Sequence, residues 1–224
     1  DIALAAALGG RETVVAVGGD GSVHEVTCGL MMAREQGKTG TRLGVLGQGT
    51  GGDFRRTLGI EHRLDKYCQV IAGGRTRDVD VGRFSYQAWD GTEKTAYFIN
   101  ILSAGMGGLV DRHVAEMGKH MGGTVAYFAA SLRGLVESRI GQLKCTVRHQ
   151  GKERIETMST RNIAICNGRY FGSGMHVAPM ADPADGLFEL VALPAGSKVG
   201  FTVRSQRIYD GSHIGQAGTL HLRG

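Results

Sequence analysis

The chain has 224 residues and a mass of 23.8 kDa, enough for one large or two small hydrophobic cores without disulfides or structural metals. Hydrophobic residues make up 42% and charged residues 21% of it, which excludes a disordered or fibrous chain. The net charge of +5 at pH 7 favours an anionic partner and leaves nucleotides, acidic membrane surfaces and nucleic acids open.

Cysteine usage and hydropathy indicate the cellular setting. The four cysteines form no C-x-x-C pair and no zinc-ligand spacing, which is typical of buried thiols in a reducing compartment and predicts a cytoplasmic protein. No segment approaches the roughly 18 consecutive apolar residues of a membrane-spanning helix, and the first ten residues lack the basic segment of a signal peptide. Any membrane contact is therefore expected to be peripheral.

The first third of the chain alternates strand and helix patterns. An alanine-rich helix over Ile2–Leu8 precedes the β-branched run Thr13–Val17, which leads into a glycine turn and apolar residues at helical spacing. A second unit of the same kind begins with the strand Arg42–Leu46, and a helix over Leu64–Ala72 closes the region. This alternation predicts a parallel sheet covered by helices.

Beyond residue 76 strand patterns predominate, so we expect a mainly antiparallel, β-rich second domain over 77–224. One helix interrupts it, because apolar residues from Val125 to Val136, including Phe128, Ala129 and Leu132, follow i, i+3, i+4, i+7 spacing. The predicted strands are Val79 to Val81, Tyr97–Leu102, Leu143–Arg148, Asn162–Asn167 and Leu187–Leu193.

The string Gly18-Gly19-Asp20-Gly21-Ser22 lies between a predicted strand and a predicted helix. Glycines there let backbone N–H groups approach a phosphate, and the helix dipole favours its negative charge. A carboxylate beside a phosphate suits a bound Mg²⁺ or a sugar hydroxyl, so a metal-bridged nucleotide is the preferred ligand. The alternative is a tight turn in which Ser22 and Glu25 form an S-x-x-E capping box.

A second glycine turn, Gly47 to Asp53, follows the next predicted strand. Gly47, Gly49 and Gly52 satisfy G-x-G-x-x-G, but the helix that follows is short for a dinucleotide-binding fold. Two glycine turns on consecutive parallel strands are expected to converge on one ligand at the carboxyl edge of the sheet.

These motifs resemble the diacylglycerol kinase catalytic-domain superfamily, particularly the soluble bacterial lipid kinases related to sphingosine kinases. Residues 18–30 resemble its G-G-D-G-T-x-N-E-x-x-x-G-L signature, and Leu46 to Arg55 is similar to its second loop, P-x-G-T-x-N-D-F-A-R. The departures are Ser22 for Thr, His24 for Asn, Gly47 for Pro, Gly52 for Asn and Arg55 for Ala. Further segments match in order: Asp78–Gly82, Phe98–Gly107, Asn167–Gly174 and Ala178–Leu187.

The resemblance implies a two-domain, ATP-dependent lipid kinase that transfers the γ-phosphate to a hydroxyl of diacylglycerol or a related lipid. Residues 1–76 would form an α/β nucleotide-binding domain similar to those of NAD kinases and phosphofructokinases. Residues 77–224 would form a β-sandwich domain bearing the lipid cleft. ATP and Mg²⁺ are the implied cofactors. The implied partners are the nucleotide and a lipid presented at a membrane surface, not a nucleic acid, with a homodimer left open.

The resemblance also assigns site residues. Asp20 and Asp53 are the implied catalytic residues, which shape the metal and charge network. The implied ATP contacts are Gly18, Gly19, Asp20, Gly21, Ser22, Val23, His24, Glu25, Gly49 and Thr50. In the second domain, Asp182 to Leu187 is similar to the family's structural Mg²⁺ loop, where Asp185 would supply a carboxylate and Asp182 and Leu187 carbonyls. The alternative is an Asp-Gly turn before a strand.

Two segments of the resembled family fall outside the matched motifs. Its N-P-x-S-G loop would precede residue 1, and its D-G-E segment, which bears the proposed general base, would follow residue 224. The resemblance therefore predicts that the chain as given binds nucleotide weakly and transfers little phosphate. The alternatives are a small-molecule kinase of the NAD-kinase type, which shares the G-G-D-G loop, and a nucleotide- or lipid-binding protein without catalysis.

Overall fold

The computed structural model describes residues 2–49, 51–117, 130, 133–197, 200 and 206–224. The chain divides into two compact units, Asp1–Asn100 and Ile101–Gly224. The boundary expected near residue 76 thus differs from this division, because the hairpin of residues 82–98 falls in the first unit. In the described part of the chain, no helix has the length and apolar character needed to cross a membrane.

The first unit has the alternating helices and strands that the sequence predicts. Strands β1 and β2 pair in parallel, with Thr13 opposite Arg42, so the predicted parallel arrangement is confirmed. An antiparallel hairpin ends the unit. The sequence patterns did not predict its first strand. The elements are α1 (Ile2–Leu8), β1 (Thr13–Gly18), α2 (Asp20–Glu35), β2 (Arg42–Gly47), α3 (Asp53–Leu58), α4 (Leu64–Ala72), β3 (Gly82–Gln87) and β4 (Glu93–Phe98).

The core of the first unit gathers side chains from several of these elements. Ala16, Val23, Phe54 and Ile99 are buried together, and partly buried Val79 and Val81 pack against them. The strand predicted at Val79 and Val81 is wrong, since the structure has no strand there. The two valines instead pack on this core from a segment outside the strands.

Helices α1 and α2 pack closely where α2 has a glycine. A Cβ at position 29 would lie 2.8 Å from the Ala3 Cβ and 2.9 Å from the Leu4 backbone nitrogen. Gly29 is buried, and Ala3 and Ala7 are the buried residues of α1. Small residues on both helices therefore set this close approach.

The second unit contains a five-stranded antiparallel sheet in the order β5-β7-β8-β9, with β6 also paired to β7. Strand β7 is long enough to pair with β6 along its first part and with β5 along its last part. A helix lies between β5 and β6. The elements are β5 (Ile101–Gly105), α5 (Met106–Met117), β6 (Gly141–His149), β7 (Lys152–Cys166), β8 (Glu189–Pro194) and β9 (Leu220–Arg223).

The predicted strands of the second unit are partly confirmed. Strands were expected at Leu143–Arg148, Asn162–Asn167 and Leu187–Leu193, where β6, β7 and β8 lie. The single strand expected over Tyr97–Leu102 is wrong, because the chain leaves the β3–β4 hairpin at Phe98 and begins β5 at Ile101. Of the predicted helix, residues 133–137 are helical, while Val125, Phe128, Ala129 and Leu132 lie outside the described residues.

The four cysteines are free thiols in different environments. Cys166 lies in the core of the second unit with Ala164, Val177 and Val191, and burial raises the pKa of its thiol. Cys68, by contrast, is exposed. The expectation of buried thiols therefore holds for Cys166 and is wrong for Cys68.

We expect Gly29→Leu to lower the free energy of unfolding by about 1–3 kcal/mol, because the added side chain must push α1 away from α2. Gly21→Ala is the matched control on the same helix, since a Cβ at position 21 meets nothing within 4 Å. It should raise helix stability by up to about 1 kcal/mol. Urea unfolding of both variants measures the difference, and equal midpoints would contradict close packing at Gly29.

Candidate functional site

The two glycine turns begin side by side at the carboxyl ends of β1 and β2. In the parallel register Gly18 lies opposite Gly47, and the Gln48 N–H donates to the Gly18 carbonyl at 2.8 Å. The predicted convergence of the turns at this edge of the sheet is therefore observed.

Beyond the strands, the backbones of the turns approach so closely that only glycine fits. A Cβ at position 49 would lie 2.3 Å from the Gly19 Cα and 3.0 Å from the Gly19 nitrogen. From the other side, a Cβ at position 19 would lie 3.2 Å from the Gly49 Cα. The two motifs thus form one continuous backbone surface.

The first turn feeds directly into α2, with Gly19 as the N-cap residue. Gly18 has φ 152°, and a Cβ there would lie 2.3 Å from the Ser22 Oγ. Ser22 is the third residue of α2 and not its N-cap, so the capping box proposed for Ser22 and Glu25 is wrong. No side chain of the described residues caps the α2 N-terminus, and its first backbone N–H groups remain available to a ligand.

Asp20, the first residue of α2, connects the first turn to α3. Its Oδ2 accepts the Asp53 N–H at 3.1 Å and its Oδ1 accepts the Phe54 N–H at 3.0 Å. The N-cap of α3 is Gly52, a left-handed residue with φ 60° and no side chain to cap the helix. Asp20 does that work from 33 residues earlier in the chain, which makes it a positioning residue; its catalytic role stays a prediction.

Asp53, the other carboxylate expected to be catalytic, is 4% exposed. Its Oδ1 accepts a hydrogen bond from the Arg56 Nη1 at 2.7 Å, one turn further along α3. An adjacent arginine therefore balances its charge, and the carboxylate helps to fix α3 at the second turn.

The remaining predicted nucleotide contacts lie in varied surroundings. Val23 packs in the core, and its N–H donates to the Gly19 carbonyl at 3.2 Å. His24 and Glu25 are exposed on α2, and the His24 ring nitrogens lie 3.7 and 3.9 Å from the Cys28 Sγ. Gly21 faces open space. Thr50 lies outside the described residues.

In the second unit, the loop expected to hold Mg²⁺ is closed by hydrogen bonds and an ion pair. The Asp182 Oδ1 accepts the Ala184 N–H at 3.1 Å, and the Asp185 Oδ1 accepts the Leu187 N–H at 3.0 Å. The Asp185 Oδ2 pairs with the Arg223 guanidinium. A cation at Asp185 would have to displace this arginine, so the arrangement does not fit a resident metal and supports the turn.

The same arginine also contacts a buried acid. The Arg223 Nε lies 3.2 Å from a carboxylate oxygen of Glu189, whose other oxygen lies 2.6 Å from the His221 Nε2. Glu189 is 2% exposed, so both contacts come from β9 to a buried charge on β8. The described parts of the chain contain no group of three or more His, Cys, Asp or Glu placed to share a metal ion.

Comparison with known families accounts for both units. Residues 1–84 match the "Diacylglycerol kinase catalytic domain" family, and residues 100–224 match the "YegS C-terminal NAD kinase beta sandwich-like domain". The chain belongs to the diacylglycerol kinase catalytic-domain superfamily. The mixed α/β architecture with a β-sandwich-like second domain is thereby confirmed, as is the resemblance drawn from the two glycine motifs.

Curated relatives of this superfamily carry lipid kinase names. The "Probable lipid kinase YegS" of Salmonella gallinarum is 32% identical over 181 residues, and the "Probable lipid kinase YegS-like" of Citrobacter koseri is 34% identical over 184 residues. Each alignment covers 81% of this chain and 56% of the relative. The chain therefore spans about half the length of the curated relatives it matches.

Solved structures have the same fold at lower identity. A crystal structure of a diacylglycerol kinase from Bacillus anthracis superimposes with a TM-score of 0.65 at 19% identity, covering 99% of this chain and 68% of that one. At that identity the likeness supports the fold alone.

One departure from the superfamily's second loop, Gly47 for Pro, is explained by a nearby side chain. A Cβ at position 47 would lie 2.7 Å from the Tyr67 hydroxyl, which is buried on α4 and lies 2.9 Å from the His62 Nδ1. Tyr67 thus fills the space that a proline at position 47 would need. The second-loop motif gave no sign of Tyr67. The sequence predicted only that this residue lies in a helix.

Arg55, which stands where the superfamily has Ala, is a further site residue that the motif comparison did not assign. Its Nη1 donates to the Ile60 carbonyl at 2.8 Å. Its Nε is buried without a hydrogen-bond partner among the described residues, and a Cβ at position 52 would lie 3.1 Å from that nitrogen. An unpaired cationic donor therefore lies against the second glycine turn. In the sequence, the replacement of the superfamily's Ala by Arg at position 55 was the signal that could have pointed to this residue.

We expect Asp20→Ala to lower the free energy of unfolding by about 1–2 kcal/mol, because two α3 backbone N–H groups lose their acceptor. Asp20→Asn keeps one acceptor oxygen and should cost less. Glu25→Gln controls for charge, since it removes an exposed carboxylate from the same helix. Urea denaturation of the three variants gives the ranking, and equal stability of Asp20→Ala and Glu25→Gln would contradict the capping role.

The Asp185 loop gives a test with and without divalent cations. Asp185→Ala should lower the free energy of unfolding by about 1 kcal/mol, because the Leu187 N–H loses its acceptor and the half-exposed ion pair to Arg223 adds little. The loss should be the same in EDTA and in Mg²⁺, as judged by thermal unfolding. If Mg²⁺ stabilised the parent and not the variant, the loop would be a metal site and not a turn without metal.

Proposed function

We propose that the chain provides the nucleotide site and part of the lipid site of an ATP-dependent lipid kinase. Its reaction transfers the γ-phosphate of ATP to a hydroxyl of diacylglycerol or a related lipid. Membership of the superfamily supports a lipid kinase. The observation that carries ATP use is the backbone surface formed by Gly19 and Gly49 beside the uncapped N-terminus of α2.

The chemistry of phosphoryl transfer suits such a surface. The transferred group carries its charge on several oxygens, so catalysis depends mainly on positioning and charge stabilisation. Backbone N–H groups at the start of α2 are preorganised donors for a phosphate, and the helix dipole adds to their effect. Gly21, which faces open space, leaves room for a phosphate to approach them.

The side chains around the turns then have distinct roles. Asp20 holds the second turn against the first through α3, and Arg55, whose Nε is buried against the second turn, places a positive charge on that side. Both Asp20 and Asp53 already accept hydrogen bonds from protein groups. We therefore propose that Mg²⁺ reaches the site with the nucleotide, where it neutralises phosphate charge.

The setting that follows from this proposal is peripheral. The substrate is a lipid presented at a membrane surface and the enzyme is cytoplasmic, so catalysis requires transient contact with the bilayer. The excess of basic residues, with a net charge of +5, supports attraction to an anionic surface.

We expect ATP with Mg²⁺ to stabilise the folded chain, by about 2.7 kcal/mol at 100 times its dissociation constant. Gly21→Val should abolish this gain by occupying the space in front of the α2 N-terminus. Because a Cβ at position 21 meets nothing within 4 Å, the variant should unfold like the parent without ligand. Gly108→Val is the matched control, since it lies equally open in the first turn of α5. An undiminished thermal shift in Gly21→Val would refute the assignment of this turn.

The acceptor is identified by transfer of labelled phosphate. Purified chain is incubated with γ-labelled ATP and Mg²⁺, with diacylglycerol in mixed micelles in one arm and NAD in another. We expect only a small amount of label in the lipid fraction, as the resemblance predicts for this chain, and none with Gly21→Val. Label on NAD would support the NAD-kinase-type alternative, and nucleotide binding with no transfer to any acceptor would support a binding protein.

A further inference from the structure

A cavity lies in the first unit, away from the glycine turns. Its volume is about 520 Å³, which is within the roughly 300–1,000 Å³ typical of small-molecule sites. Its walls come from α2, α3, α4, β2 and the segment of residues 74–81. No described residue of the two turns, 18–22 and 47–53, lines it.

Apolar side chains form one wall of this cavity. Its floor belongs to the core cluster of the first unit, because Phe54 and Ile99 are buried members of that cluster and line the cavity as well. The apolar wall is formed chiefly by Leu30, Leu43, Val45, Phe54, Val79 and Ile99. Nearer to solvent, Val70 continues this surface and is 51% exposed. Such a wall accommodates a hydrocarbon chain.

The opening is strongly basic. Five cationic side chains line the cavity and are exposed, so they lie where it meets solvent: Arg34, Lys38, Arg42, Arg75 and Arg77. Asp78 is the one acidic residue among the described lining residues. Within the described ranges, none of the five has a carboxylate within ion-pair distance, whereas Arg63 pairs with Glu61 and Asp65.

A basic surface exposed to solvent does not by itself explain why cations surround a cavity with an apolar wall. The five cations come from two stretches, residues 34–42 and 75–77, and meet around the opening of one cavity with an apolar wall. Guanidinium groups bind phosphate and carboxylate oxygens in pairs, and their apolar stems can extend along a hydrocarbon surface. An apolar wall with unpaired cations at the cavity opening is complementary to a molecule with an apolar tail and an anionic head.

We propose that this cavity binds an anionic amphiphile, with a single alkyl chain against the apolar wall and a phosphate or carboxylate head among the five basic side chains. The site is separate from the lipid cleft that the superfamily resemblance places in the second domain. It depends on neither the proposed kinase activity nor the nucleotide site, so its test stands apart from theirs.

Calorimetric titration of the chain with monomeric dodecyl phosphate tests the proposal. The double variant Arg75→Glu/Arg77→Glu reverses two exposed charges at the opening and should weaken binding roughly tenfold or more, since one hydrogen bond to a charged group commonly accounts for a tenfold step. The matched control is Arg11→Glu/Lys94→Glu, which makes the same charge change at exposed positions of the same unit outside the cavity, and should bind like the parent.

Further ligands separate the contributions of head and tail. Dodecyl maltoside has the same tail without charge and inorganic phosphate has the charge without a tail, so both should bind at least tenfold more weakly than dodecyl phosphate. Val70→Asp, at the exposed edge of the apolar wall, gives a second variant that should also weaken binding. All variants change exposed residues, and unchanged thermal unfolding without ligand confirms that each one folds.

Three results would overturn the proposal. Equal binding by the parent and the double variant would place the amphiphile elsewhere, for instance in the second domain. Tight binding of inorganic phosphate alone would reduce the site to an anion patch. The double variant could also lose binding to phosphatidylglycerol vesicles while it binds monomeric dodecyl phosphate like the parent. That result would make the basic residues a membrane-facing surface and not the opening of an amphiphile site.

Discussion

The two hydrogen bonds that the Asp20 carboxylate accepts from the first N–H groups of α3 determine the shape of the proposed nucleotide site. Helix α3 has only six residues, too few to be stable in isolation, and its own N-cap is a glycine without a side chain. A carboxylate from the neighbouring turn supplies the missing acceptors and a charge that favours the helix N-terminus. The second turn is thereby held where Gly49 touches Gly19.

This arrangement gives the two helix starts different tasks. The N-terminus of α3 is capped by protein, so it contributes geometry and little free donor capacity. The N-terminus of α2 lacks a side-chain cap, and α2 continues for 16 residues, so it presents free N–H groups and a full helix dipole to a ligand. A phosphate-binding surface works best when its donors are fixed before the ligand arrives. Asp20 contributes to that rigidity through the two hydrogen bonds that it accepts from backbone N–H groups of α3.

Local signals in the sequence were sufficient for part of this picture. Strand, glycine turn and helix follow one another within 30 residues, so β1, α2 and the convergence of the turns could be predicted. The partner of Asp20 could not, since it lies 33 residues away and depends on the parallel register. The Arg223 contact to Asp185 escaped prediction for the same reason: it bridges 38 residues through β9, a four-residue strand too short to give a pattern.

The location of charge could not be predicted from the sequence either. Composition gives the net charge, and only the fold shows where the charged side chains lie. Glu35 follows Arg34 directly in α2, yet it lies within 3.6 Å of the Arg83 Nε and does not line the cavity. Successive helix residues point about 100° apart, so the acid that follows Arg34 in sequence lies on another face of the helix. Arg34 therefore keeps its positive charge at the cavity opening, where it lies with four other cations and one acid, Asp78, among the described lining residues. The net charge of the chain is thus concentrated at one place that composition alone does not reveal.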